Sequence, residues 1–111
     1  MDERTGTEHL RRIFAARGLD IQLDVPFDEH GEGLVLDGFD PARRIGFELI
    51  TTEAGDRESF SAEVVARLEQ RMARGELYLL LVDEVEANEP EALTVAAQGF
   101  LDRLARLGRL P

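Results

Sequence analysis

Leu34-Val-Leu-Asp-Gly-Phe39, Asp40-Pro41-Ala42-Arg43 and Arg44-Ile-Gly-Phe-Glu-Leu-Ile-Thr51 read as strand, turn and strand, and each strand carries one carboxylate, Asp37 or Glu48, inside an otherwise apolar run. Isolated acids are uncommon in strands that read as buried. Asp at the first turn position and Pro at the second are type I turn chemistry, so the pairing centres between Pro41 and Ala42. That register sets Asp37 opposite Gly46. Side chains alternate along a strand, so Val35, Asp37, Phe39, Arg44, Gly46, Glu48 and Ile50 share one face, with Glu48 diagonal to Asp37 at roughly 6 to 8 Å. Two carboxylates placed this way can converge on one cation. The competing reading is structural: Arg44 on the same face pairs with Glu48, Asp37-Gly38 shapes a bulge, and Asp40 serves the turn.

Outward from this hairpin, the remaining elements follow from periodicity and punctuation. Thr7 is placed to cap a first helix with Leu10, Ile13 and Phe14 as its apolar stripe, His9 on its exposed side and Gly18 as its stop. Leu19-Asp-Ile-Gln-Leu-Asp-Val25 alternates like a half-exposed strand that Pro26 ends, and a polar loop from Asp28 to Gly33 leads to the hairpin. Ser59 or Ser61 caps a second helix with Phe60, Val64, Val65, Leu68 and Met72 on one side, closed by Gly75. Leu77-Tyr-Leu-Leu-Leu-Val82 is apolar on both faces and reads as an interior strand covered by helices. Asn88-Glu-Pro-Glu91 has the form of a capping box opening a third helix that turns Leu93, Ala97, Phe100, Leu101, Leu104 and Leu107 inward, with Gly108 ending it. The order is α-β-β-β-α-β-α. It predicts one α/β (α+β) domain over residues 1–111, a four-stranded mixed sheet flanked by helices.

This order resembles the common core of the restriction-endonuclease-like proteins, the PD-(D/E)XK superfamily. Asp37 falls where that family keeps its metal-binding Asp, and Glu48 where it keeps the acid of its Glu-x-Lys signature. The resemblance implies a Mg²⁺-dependent nuclease using Asp37 and Glu48. Two departures point the other way. The signature Lys is replaced by Ile50 in a chain with no Lys at all, and the leading Pro-Asp is Leu36-Asp37. Arg does not substitute well, being permanently protonated and bulkier. A non-catalytic relative without a cofactor is the expectation, and the metal-dependent nuclease its alternative.

Composition narrows the function classes. The chain has 111 residues, no cysteine, and 23 acids against 13 bases, for a net charge of −10. Without Cys or Lys there is no thiolate nucleophile, Schiff base or Walker-type phosphate contact. The longest apolar run, Leu77 to Val82, is far too short to span a bilayer, and the polar first residues carry no signal peptide, so a cytoplasmic protein is expected. The acidic balance argues against nucleic acid as a partner, because duplex binders neutralise phosphates with clustered bases. His9 and His30 have no zinc spacing, and the Asp28–Gly33 loop lacks the EF-hand order. One segment, Asp83-Glu-Val-Glu-Ala-Asn-Glu-Pro-Glu91, holds five acids and no base. Asp83, Glu84, Glu86 and Glu89 form a docking edge for a protein partner with a basic surface, the competing reading being a solvated loop that complements the next helix dipole.

Overall fold

The computed structural model describes residues 2–51 and 59–111. Helix α1 (Glu3–Ala16) is opened by Asp2, not Thr7: the Asp2 carboxylate accepts the Thr5 N–H at 2.7 Å, and Thr7 lies inside the helix. Asp is a strong N-cap, and Glu3 behind it complements the helix dipole, so the earlier start wins. Strand β1 (Gln22–Phe27) continues through Pro26, which an edge strand tolerates. Strands β2 (Leu34–Asp40) and β3 (Ile45–Ile50), helix α2 (Ala62–Ala73), strand β4 (Tyr78–Asp83) and helix α3 (Pro90–Arg106) complete the expected order. Ser61 caps α2, its hydroxyl accepting the Val64 N–H. Glu89, not Asn88, is the N-cap of α3, and its side chain makes no capping bond.

The sheet runs β1-β2-β3-β4, antiparallel in its first two pairs and parallel between β3 and β4. Among the described residues β4 is therefore an edge strand, where its double-sided apolarity had suggested an interior one. Helices explain the pattern. Leu77 and Leu79 pack with Leu68 of α2 and with Phe27, Leu34, Leu36 and Phe39, while Val82 joins Leu93, Ala97, Leu101 and Leu104 of α3, Leu10 and Phe14 of α1, and Ile45, Phe47 and Leu49 of β3. Both faces of β4 are covered and only its outer rim lacks a strand. His9 is half-buried rather than exposed, because α1 lies against α3: its Nε2 is 2.7 Å from Thr94 Oγ1, and Arg17 donates to Gln98 and Asp102.

The turn sets the sheet register, and it is wider than the sequence suggested. Asp40 Oδ1 accepts the N–H groups of Ala42 and Arg43, each at 3.0 Å, Oδ2 accepts from Asp20, and the Asp40 carbonyl accepts the Arg44 N–H at 2.7 Å. These bonds wind Pro41 to Arg44 into the turn and hold Arg44 at φ 61, so the closing pair is Asp40 with Ile45. Phe39 consequently faces Gly46, two residues from the expected register.

Candidate functional site

Extending the observed register by one pair sets Asp37 directly opposite Glu48, rather than opposite Gly46 with Glu48 diagonal. The ladder between β2 and β3 ends at Gly38 and Phe47. Beyond it the Asp37 N–H donates to Glu48 Oε1 and the Leu49 N–H donates to Asp37 Oδ2, both at 2.8 Å. Each acid thus takes one strand's amide with a side-chain oxygen, and the carboxylates lie between β2 and β3. Glu48 is 1% exposed and Asp37 8%.

Local backbone geometry accounts for this insertion. Leu36 and Phe39, three residues apart, pack into the same apolar cluster, which strict alternation forbids. Alternation therefore breaks between them, at Asp37-Gly38. On the neighbouring strand Asp24, which the β1–β2 register sets opposite Asp37, has φ 51, a left-handed conformation that Asp tolerates better than most residues. Gly38 lets the strands close up beyond the break: a Cβ there would enter the Phe47 ring and lie 2.9 Å from Ile21 Cγ2.

Arg44 is not the partner of Glu48. The turn carries it away from β3, and it grips Glu29 through both terminal nitrogens at 2.6 and 2.7 Å while donating to the Glu76 carbonyl. Glu29 belongs to a cluster centred on Arg71 of α2, a buried residue whose Nε, NH1 and NH2 reach Glu76, Glu32 and Glu29 at 2.9, 3.0 and 2.7 Å. The hydrogen bond from Arg44, then that from Arg71, holds the Glu29 carboxyl at about 2, against an ordinary 4.5. Burial opposes ionisation of Glu32, but amide donors led by His30, together with Arg71, outweigh it and lower its pKa. Burial likewise opposes the charge on Arg71, and its hydrogen bonds to Glu29 and Glu76 overcome this and raise its pKa. Sequence reading missed this cluster because its members lie on two loops and a helix, with Arg71 42 residues from Glu29. The one available signal was a basic residue, Arg71, following the apolar stripe of α2.

Asp37 also borders an open cavity of about 660 Å³ whose wall includes Glu3, Arg4, Glu8 and Asp24. Among the described residues no three His, Asp or Glu side chains are grouped to hold a metal ion. Mg²⁺ demands near-octahedral oxygen ligation, whereas Asp37 and Glu48 each give an oxygen to a strand amide. Two carboxylates alone do not complete such a ligand set among the described residues.

The acidic segment is a tight connection. Asp83 ends β4; its carboxylate accepts the Val85 N–H at 2.9 Å and its carbonyl accepts from Glu86 and Ala87. Asp83 and Glu84 are half-buried, Glu86 and Glu89 are exposed, and Val85 between them is 77% exposed. Ala87 anchors the segment in the core. The turn thus presents an apolar side chain flanked by acids. Among the described residues no helix is long and apolar enough to cross a membrane.

Comparison with models of known families, with curated proteins and with solved structures finds no match to this chain. What stands is the class defined by its topology: an α+β domain with a four-stranded mixed sheet.

Proposed function

We propose that this protein is a non-catalytic interaction domain that binds a protein partner with a basic surface through the acidic turn between β4 and α3. The observation that carries this reading is the use of Asp37 and Glu48 as connectors: each carboxylate accepts an amide of the neighbouring strand where the β2–β3 ladder ends. The turn supports it from the other side, with Glu86, Glu89 and Val85 exposed on a chain of net charge −10. Charges of one sign steer a cationic partner and make its association sensitive to salt over a screening length of about 10 Å at 0.1 M. Binding of the physiological partner is expected to weaken as salt rises and to lose that dependence when Glu84, Glu86 and Glu89 are changed to Gln together. A partner indifferent to both removes the turn from the interface.

A second reading, a divalent-metal-dependent nuclease on a PD-(D/E)XK-like scaffold, is favoured by one observation: Asp37 meets Glu48 and also borders the acidic cavity near Glu3. The two readings part on metal. Ligand at tenfold excess over its dissociation constant adds about 1.4 kcal/mol to the stability of a native state that binds it. Millimolar Mg²⁺ or Mn²⁺ is expected to give no stabilisation beyond that of an unrelated protein of similar charge. A thermal shift lost in Asp37→Asn, with cleavage of any nucleic acid, establishes the nuclease instead.

A further inference from the structure

The outer rim of β4 is where the fold leaves hydrogen-bonding capacity beside an apolar surface. Tyr78 donates its N–H to the Arg44 carbonyl and Glu84 donates to Ile50, so even-numbered residues of this stretch turn their backbone groups towards β3. Alternation then turns the N–H and C=O of Leu79 and Leu81 outward, where the described residues supply no strand. Among the described residues the Leu79 N–H meets the Met72 sulfur of α2, at 3.4 Å. A thioether is a weak acceptor on a flexible side chain, and a peptide carbonyl is a better one. Beside this rim lies a groove of about 570 Å³ walled by Val65 and Met72 of α2, Leu79 and Leu81 of β4, and Phe100 and Leu107 of α3.

We propose that this rim takes an extended, cationic segment of another protein as a fifth strand, its backbone pairing with Leu79 and Leu81 and its apolar side chains filling the groove. The inference rests on the basic-partner reading above and gives that partner a binding mode. Charge decides the occupant. The strand runs from the groove to Asp83, where the turn carrying Glu84 and Glu86 begins, and Glu69 and Arg103 are the one acid and the one base among the groove-lining side chains. A second copy of the chain would bring a charge of −10 against another −10. A segment alternating apolar residues with arginines matches both the groove and the acidic end of the strand.

The probe is a labelled nine-residue peptide of alternating arginine and valine, paired with the same peptide N-methylated at alternate residues so that its strand-pairing edge is blocked. Anisotropy should show the methylated peptide binding at least tenfold more weakly. Amide exchange of Leu79 and Leu81, followed by NMR on the wild-type protein, should slow at least tenfold with the unmodified peptide. Equal binding of both peptides with unchanged exchange overturns strand addition while leaving the acidic turn as a docking site, provided the Glu84, Glu86 and Glu89 triple variant loses both. Absence of binding by either peptide overturns both readings. A concentration-dependent dimer that protects the Leu81 amide without peptide assigns the rim to a second copy and overturns the foreign segment.

Discussion

Gly46→Ala is expected to destabilise the protein by about 3 kcal/mol or more, the upper end of overpacking costs, because the obstacle is main chain. Gly46 is not among the glycines with positive φ, so the constraint is space. A Cβ on Gly46 would overlap the Gly38 carbonyl oxygen and lie 2.8 Å from Phe39 Cδ1 and 2.9 Å from Phe39 Cα. Relief requires β2 and β3 to separate beside the Asp37–Glu48 crossing, which depends on their spacing. Gly99→Ala is the control: a Cβ there meets nothing within 4 Å, and alanine favours helix over glycine, so this change should stabilise by up to about 1 kcal/mol. Urea denaturation of both variants checks the pair. A Gly46→Ala protein as stable as wild type means that the strands are not this close.

Arg71→Met is expected to cost about 3 kcal/mol at pH 7, since it keeps most of the side-chain volume but removes the cation shared by Glu29, Glu32 and Glu76. The loss falls mainly on Glu32, whose side chain is 5% exposed; Glu29 and Glu76 can turn to water, and solvent screens them. The sign with pH follows from direction. Glu29, Glu32 and Glu76 all have folded pKa values depressed below 4.5. Such groups favour the folded state above about pH 4.5, and that contribution is lost as pH falls, for Glu29 through about 2. Wild type should therefore lose stability between pH 5 and 2 more steeply than Arg71→Met, and the difference between them should shrink. Arg71→Lys, which keeps charge but not the three separate donors, should fall between the two. Denaturation at pH 7, 5 and 3 decides it: a constant gap across that range makes Arg71 a packing residue rather than the hub of an ion cluster.

The hairpin illustrates how far sequence reading reached. Asp40 and Pro41 announced a turn correctly, yet the turn's width depended on Asp40 accepting two amides through one carboxylate oxygen and closing on Arg44 through its carbonyl. Those bonds moved the register by two residues. Because the shift is even, Glu48 stayed buried as expected, but its partner became the Asp37 amide instead of Arg44. Arg44 itself could not be placed, since its destination, Glu29, lies in a loop with no periodicity to read. Similarly, a strand apolar on both faces looks the same whether a third strand or only a pair of helices covers it, and this is why β4 was expected inside the sheet.

The sequence alone determined the element order, the burial of Glu48, the helix stops at Gly18 and Gly75, and the absence of thiol and lysine chemistry. Each of these is local: periodicity of three to four or of two, a glycine able to adopt positive φ, or a residue type that is simply missing. Tertiary structure alone decided that Asp37 and Glu48 accept strand amides across β2 and β3, that Arg71 gathers three acids, and that among the described residues β4 ends the sheet beside an apolar groove. These depend on which distant segments meet. A carboxylate's chemistry is set by the donors that surround it, and here those donors come from another strand, where no spacing in the chain records them.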